Sequence, residues 1–142
     1  MTGNYQVRVD FNVGEKAEMT KEITENDITS MAEITGDFNP IHIDEDFAKK
    51  TRFKGCIAHG VLSNGLISAV LGMHLPGPGA IYLGQTLKYL NPVRAGDTLR
   101  AEVEVSKWRP DKKIIHLETR CLNQHNDIIV EGEAVMLIET IE

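Results

Sequence analysis

Residues Gly60–Met73, with the sequence GVLSNGLISAVLGM, decide the fold of this chain. Their large apolar side chains recur at helical spacing and also cover the remaining sides, so the predicted helix is apolar nearly all round. A helix of that kind is usually buried. Small residues, among them Gly60, Gly65 and Gly72, let other backbone approach it closely. The run PGPG at residues 76–79 ends the helix abruptly.

After residue 79 the pattern changes from helix to strand. Ala80–Leu90 is rich in Ile, Tyr, Leu and Thr, and residues 99–106 alternate between apolar and mostly charged side chains. Two more strands are predicted at Lys113–Asn123 and Ile128–Glu139, and short turns separate them. Consecutive strands with short turns indicate an antiparallel meander. The chain is therefore predicted to be α+β, with an antiparallel sheet wrapped around one central apolar helix.

The first 58 residues show weaker, local signals. Tyr5–Phe11 alternates like a strand, and Lys16–Ile23 is a second strand candidate. Thr24–Gly36 is predicted to be a short helix, capped by its first residue and ended by its glycine. Asp44–Lys50 is expected to form one or two helical turns, and Thr51–Ala58 a loop.

Composition narrows the class of protein. The 142 residues are expected to form one domain, residues 1–142. A formal net charge of −6 argues against a nucleic-acid partner. No apolar run is long enough to predict a membrane span, and the N-terminus does not resemble a secretory signal. Cys56 and Cys121 have no Cys-x-x-Cys partner, which fits free thiols in a reducing cytoplasm.

The stretch TGDFNPIH, residues 35–42, brings together an acid and a base. Asn39-Pro40 favours a turn, because proline fixes its own φ and disfavours helix at the residue before it. Asp37 and His42 flank that turn and can point into one shared space. Such a pair suits the transfer of protons to and from water.

These features resemble the MaoC-like (R)-specific enoyl-CoA hydratases, which have the hot-dog fold. Gly36-Asp37-Phe38-Asn39-Pro40-Ile41-His42 fills the family's main motif. Ala58-His59-Gly60-Val61-Leu62 resembles its His-Gly step into the central helix, and Tyr82-Leu83-Gly84-Gln85 its next strand. The likeness runs from about Gly14 to Ile138.

The resemblance implies a reaction and roles for four residues. The substrate would be a trans-2-enoyl thioester of coenzyme A, with no further cofactor, and water would add reversibly to give the (R)-3-hydroxyacyl thioester. Asp37 would take a proton from the water, while His42 would orient the water and return a proton to C2; these two roles can be exchanged. The backbone N–H of Gly60 would stabilise the thioester oxygen. Ser68 would hydrogen-bond Asp37 or the substrate.

The resemblance also implies an assembly. Unpaired strand edges favour the pairing of two copies, so a homodimer or a dimer of dimers is expected. Coenzyme A and an acyl carrier protein remain open as thioester carriers. The acidic net charge disfavours an acidic carrier protein unless a local basic patch exists.

Simpler interpretations apply to each residue alone. Asp37 could be an ordinary turn residue, His42 a structural histidine, and Gly60 a steric necessity. Ser68 could bond the carbonyl four residues before it. His59 is expected to anchor the turn into the helix. His74, His116 and His125 show no metal-ligand spacing with each other or with a cysteine, and His42-x-Asp44 offers only two ligands, so no metal site is predicted.

Two alternative functions follow from the same fold. One is an acyl-CoA thioesterase, although members of that class usually carry a carboxylate on the central helix and Gly60–Met73 has none. The other is an acyl-thioester-binding module without turnover, which would not need an acid–base pair.

Overall fold

The computed structural model describes residues 3–141. In chain order its elements are β1 Lys16–Glu22, α1 Glu25–Thr35, α2 Pro40–Ile43, α3 Glu45–Ala48, α4 Gly60–Met73, β2 Ala80–Tyr89, β3 Thr98–Arg109, β4 Ile114–Leu122 and β5 Ile128–Ile138. The strands form one antiparallel sheet in the order β1-β3-β4-β5-β2. The predicted α+β architecture, with its antiparallel meander, is confirmed. In the described part of the chain, no helix has the length and apolar character needed to cross a membrane.

Helix α4 packs against the sheet as the sequence predicted. Ile67, Val70 and Leu71 are fully buried, and they join one core with the inward-facing side chains of β3, including Val103 and Val105. Each such side chain contributes roughly 1.5–3 kcal/mol through burial. This packing holds the start of α4 at a fixed place beside the turn that carries Asp37.

Local capping signals also proved accurate. The Oγ1 of Thr24 accepts a hydrogen bond from the Asp27 N–H at 3.1 Å, and the Thr24 N–H donates to Asp27 Oδ2 at 2.9 Å. Helix α1 ends at Gly36, whose φ of 80° is the left-handed conformation that glycine adopts readily. Asp44 caps α3 by accepting from the Phe47 N–H at 3.1 Å.

The strand predicted over Tyr5–Phe11 is wrong. That segment has no regular secondary structure and pairs with neither edge strand of the sheet; side-chain contacts hold it instead, such as the hydrogen bond that Trp108 Nε1 donates to Asp10 Oδ1 at 3.2 Å. Phe11, the last apolar residue of the alternating pattern, is buried for another reason: its ring packs edge-to-face against Trp108, with the ring centroids 5.0 Å apart. The short helix α2 was not predicted either, since a turn was expected there.

Candidate active site

The turn between α1 and α2 fixes Asp37. Its Oδ1 accepts a hydrogen bond from the Asn39 N–H at 3.1 Å, and Asn39 Oδ1 in turn accepts from the Ile41 N–H at 3.2 Å. Pro40 then begins α2 with its preset φ. Asp37 therefore has the turn role that its sequence position allowed, and its second oxygen, Oδ2, remains available.

His42 lies on α2 and faces Asp37. Its Nδ1 is 2.8 Å from the carbonyl oxygen of Ile57. Because a carbonyl can only accept, Nδ1 carries the proton, and in the neutral ring Nε2 keeps a lone pair. Nε2 lies 3.9 Å from Asp37 Oδ2. The His42 side chain is mostly buried, whereas that of Asp37 is 48% exposed.

The separation between Asp37 and His42 suits a shared water. At 3.9 Å the two atoms are too far apart for a direct hydrogen bond. A water oxygen can lie within about 2.8 Å of both. Both atoms can accept, so such a water would donate one hydrogen to each and keep its lone pairs free for attack. The structure therefore brings the two predicted acid–base residues together in a usable geometry.

His59 contacts both Asp37 and His42. It is buried, and its Nε2–H donates to the backbone carbonyl of Asp37 at 3.0 Å. Its ring stacks on that of His42 with the centroids 3.9 Å apart and the planes 28° apart. The anchoring role predicted for His59 is seen in these two contacts. Its Nδ1 is buried without a hydrogen-bond partner among residues 3–141.

Gly60 is the first residue of α4, and Tyr89 covers its α-carbon. A Cβ at Gly60 would lie 2.9 Å from Tyr89 Cε1, closer than real side chains approach. The Tyr89 hydroxyl donates to Asn64 Oδ1 at 3.0 Å, which holds the ring in this position. The first N–H groups of an α-helix lack acceptors within the helix. A side chain at this position would displace the ring, and glycine also leaves backbone donors at the helix start open to a ligand.

Ser68 lies apart from the acid–base pair. It is half-buried on α4, about 12 Å along the helix axis from Gly60 at 1.5 Å per residue. No hydrogen bond joins it to Asp37 in the described part of the chain. Its hydroxyl instead neighbours the Tyr82 phenol on β2, and burial raises the pKa of that phenol. Of the two contacts expected for Ser68, that with Asp37 is not formed.

A cavity of about 230 Å³ opens beside His42. Its wall consists of residues from α2, the loop before α4, the start of α4 and the segment that leaves β2: His42, Arg52, Phe53, Ile57, Ala58, His59, Gly60, Ser63, Tyr89, Leu90, Asn91, Pro92, Val93 and Ile129. A larger concavity of about 830 Å³ lies over the charged outer face of the sheet. That concavity contains none of the acid–base residues, and a third cavity of about 510 Å³ shares His42 but neither His59 nor Gly60. We therefore assign the chemistry to the cavity that His42, His59 and Gly60 line together, with Asp37 just outside its lining.

The ligating atoms of Asp37, His42 and His59 lie within 4.8 Å of one another, a spacing that could suggest a metal. The stacked rings argue against one. Imidazole binds a metal through a lone pair in the plane of its ring. Because the ring centroids lie 3.9 Å apart and the planes are inclined by only 28°, the two rings face each other and their in-plane lone pairs do not converge on one ion. We therefore assign no metal to this cluster.

Three contributors to the site were not predicted from the sequence. The Ile57 carbonyl orients His42, but a backbone oxygen has no sequence signature. Tyr89 meets Gly60 only through the tertiary fold, 29 residues along the chain. Arg52 lies in a loop that the sequence analysis left without a function, and it lines the cavity. Its place in the run KKTRFK, residues 49–54, was the one available hint.

This chain is similar to known proteins of one family. A model of the family described as "MaoC like domain" matches residues 10–126. The (R)-specific enoyl-CoA hydratase of Rhodospirillum rubrum is 47% identical over 129 residues, covering 91% of this chain and 89% of that protein. The 3-hydroxybutyryl-CoA dehydratase of Methylorubrum extorquens is 45% identical, covering 91% and 82%.

A solved structure is similar over nearly the same region. It is described as the (R)-hydratase from A. caviae involved in PHA biosynthesis, and it superposes with a TM-score of 0.86 at 44% identity. The match covers 90% of this chain and 97% of that one. The hot-dog fold implied by the sequence motifs is thereby confirmed.

Proposed function

The chain belongs to the MaoC-like family, and we propose that it is an (R)-specific enoyl-CoA hydratase in which Asp37 and His42 activate the attacking water. The enzyme is a hydro-lyase that adds water to a trans-2-enoyl-CoA and gives the (R)-3-hydroxyacyl-CoA, reversibly. Relatives with this activity in their names support the reaction and its stereochemistry. The observation that carries the residue assignment is the 3.9 Å separation of Asp37 Oδ2 and His42 Nε2.

The proposed reaction moves one proton through the pair. The water oxygen bonds to C3 as one of its O–H bonds breaks, and the electron pair of C2=C3 moves towards the thioester oxygen. Asp37 takes the proton, and His42 holds the other hydrogen through Nε2 while Ile57 fixes its ring. The proton then passes to C2, directly or through His42, and the enolate collapses to product. Acid–base catalysis of this kind contributes typically 10²–10⁴-fold.

Gly60 is proposed to stabilise the enolate. Its N–H lies at the start of a 14-residue helix, whose dipole places partial positive charge at that end. Preorganised backbone donors of this type act where charge develops, and removing one typically costs roughly 3 kcal/mol of barrier. The cavity beside His42 extends to Gly60, so one bound thioester can contact both the His42 ring and the Gly60 N–H.

Ser68 is proposed to contact the substrate rather than Asp37. It faces the Tyr82 phenol at the helix–sheet boundary, two turns beyond Gly60. A hydroxyl pair at that depth would lie along the acyl chain rather than at the reacting carbons.

We also propose that the enzyme is a homodimer or a dimer of dimers. Both β1 and β2 are sheet edges, but β1 is mainly polar whereas β2 exposes the large apolar side chains Ile81, Tyr82 and Leu83. An exposed apolar edge strand favours pairing with a second copy. Two chains joined through β2 would form one continuous sheet with C2 symmetry.

The whole chain, residues 1–142, is proposed to act as one domain in the cytoplasm. The free thiols of Cys56 and Cys121 support a reducing compartment. Burial raises the pKa of the Cys56 thiol to about 11, and that of Cys121 to about 12. Both are therefore protonated and unreactive near neutral pH, which suits thiols without a catalytic role.

Crotonyl-CoA distinguishes the proposed reaction from its alternatives. A hydratase bleaches the conjugated double bond and leaves the thiol blocked, a thioesterase frees the thiol, and a binding module does neither. Chiral analysis of the product checks the (R) assignment. Thiol release without loss of the enoyl absorbance would overturn the proposal in favour of a thioesterase.

A further inference from the structure

The cavity beside His42 has an unusual charge balance. The chain as a whole has 21 acidic and 15 basic residues, yet Arg52 is the one Asp, Glu, Lys or Arg residue in the lining of this cavity; the carboxylate of Asp37 lies just outside the lining, 3.9 Å from His42 Nε2. The start of α4 at Gly60 adds partial positive charge to the same wall. The neighbouring cavity, across the loop of residues 52–57, is lined by charges of both signs: Glu25 and Glu45 together with Lys54 and Arg94.

Arg52 is free to bind an anion. Its side chain is exposed, with the guanidinium carbon 4.9 Å from the centre of the Phe53 ring. Within residues 3–141 no carboxylate forms an ion pair with it, whereas Arg8, Arg100, Arg109 and Arg120 are all paired. A planar guanidinium without a partner matches the oxygen geometry of phosphate.

The adjoining sequence extends this positive charge. Four cations fall within six residues: Lys49, Lys50, Arg52 and Lys54. All four are exposed, and none forms an ion pair in the part of the chain that the structure describes. In an acidic protein this segment is the local basic patch that an acidic or phosphorylated ligand would require.

The cavity is too small to hold the whole thioester carrier, so the charged part of the carrier must lie outside it. A volume of about 230 Å³ is below the roughly 300–1,000 Å³ that drug-sized ligands fill. The thioester and the inner part of its pantetheine arm fit there, between apolar walls that include Phe53 and Leu90. The phosphates of the carrier must then remain outside, near the exposed guanidinium of Arg52.

We propose that Arg52 is a substrate-binding residue that recognises phosphate on the thioester carrier at the mouth of the active-site cavity. This inference rests on the proposed hydratase function and extends it to the carrier. Phosphate is common to coenzyme A and to the phosphopantetheine arm of an acyl carrier protein. Binding there raises the affinity for substrate and leaves the chemistry at Asp37 and His42 unaltered.

The test compares the crotonyl thioesters of coenzyme A, phosphopantetheine and pantetheine, which differ in their phosphates. With Arg52→Ala we expect the KM for crotonyl-CoA to rise about tenfold, the loss typical of one charge-assisted contact. For crotonyl-pantetheine, which has no phosphate, the KM should change less than twofold. Arg52→Lys should raise the KM for crotonyl-CoA less than Arg52→Ala does, because lysine keeps the positive charge but lacks the paired donors of the guanidinium group.

The matched control is Lys107→Ala, which removes one exposed positive charge from β3. Ala101, Cys121, Val130 and Tyr89 lie side by side on four neighbouring strands, and Tyr89 lines the cavity. Lys107 lies six residues further along β3 than Ala101. That spacing is about 20 Å along the strand. The control should leave all three KM values unchanged, which separates a local contact from the effect of net charge.

Each outcome is decisive. A defect of Arg52→Ala with both crotonyl-CoA and crotonyl-phosphopantetheine supports recognition of the inner phosphate, and a defect with crotonyl-CoA alone supports the nucleotide phosphates. An equal rise of KM for all three substrates, or none, overturns the proposal. Failure of the wild type to hydrate any of them would instead reject the hydratase function itself.

Discussion

Substitution of Gly60 by alanine perturbs the start of α4 in a defined way. The added Cβ would lie 2.9 Å from Tyr89 Cε1 and 3.2 Å from Cδ1, whereas carbon atoms rest at about 3.5–4.0 Å. The ring of Tyr89 must therefore move by several tenths of an ångström or more. That movement strains the 3.0 Å hydrogen bond to Asn64, and the added methyl group narrows the space beside the Gly60 N–H in which the thioester is proposed to bind.

The expected stability change is small because two terms oppose each other. Loss of the Tyr89–Asn64 hydrogen bond costs about 1 kcal/mol. Replacing glycine in a helix recovers roughly 0.5–1 kcal/mol of conformational entropy. The free energy of unfolding should thus stay within about 1 kcal/mol of the wild type. A displaced oxyanion donor, by contrast, raises the barrier by roughly 3 kcal/mol, which lowers kcat by about 100-fold.

The assay pairs crotonyl-CoA kinetics with urea unfolding. Gly60→Ala should lower kcat by about 100-fold with a nearly unchanged free energy of unfolding, and Gly60→Val should lower kcat further. Tyr89→Phe keeps the ring and removes only the hydroxyl bond, so its loss of kcat should be much smaller. Alanine keeps the backbone N–H, so Gly60→Ala tests how closely the thioester approaches this position. If both Gly60→Ala and Gly60→Val retain kcat within threefold of the wild type, the thioester does not bind against the start of α4 and the oxyanion assignment to Gly60 fails.

Two further predictions concern stability and assembly. Thr24→Ala removes the N-cap of α1 and should lower the free energy of unfolding by about 1 kcal/mol in urea denaturation; Thr29→Ala, whose hydroxyl only bonds the Glu25 carbonyl within the helix, should change it less. Light scattering after size exclusion should give two or four times the 15.8 kDa chain mass. An active species near the mass of one chain would contradict the shared sheet.

Local signals in the sequence predicted most of the fold. The capping box at Thr24 and Asp27 and the glycine at position 36 set the limits of α1, because caps act within one turn of the helix. The apolar run of α4 gave its bounds and its central position. These features depend on neighbouring residues alone, so no tertiary information was needed.

The errors arose where partners are distant in the chain. Tyr5–Phe11 has an alternating pattern, but a strand also needs a backbone partner, and this segment pairs with neither edge strand. Phe11 instead packs against Trp108, almost 100 residues away. A period-2 pattern cannot show which distant partner a segment meets.

The same distinction applies to the active site. The spacing of Asp37 and His42 across Asn39-Pro40 is local, and the two residues were predicted together. The contacts that complete the site are not local: the Ile57 carbonyl on His42, the Asp37 carbonyl on His59, and the ring of Tyr89 on Gly60. Each depends on how α4 docks on the sheet.

The most direct measurement is the rate at which crotonyl-CoA loses its enoyl absorbance with wild type, Asp37→Asn and His42→Ala. Asparagine keeps the size of Asp37 and its turn bond to Asn39, while it removes the charge that accepts a proton. We predict rapid hydration by the wild type, with kcat at least about 100-fold lower in both variants and circular dichroism unchanged. Near-wild-type turnover in either folded variant would contradict activation of water by the Asp37–His42 pair.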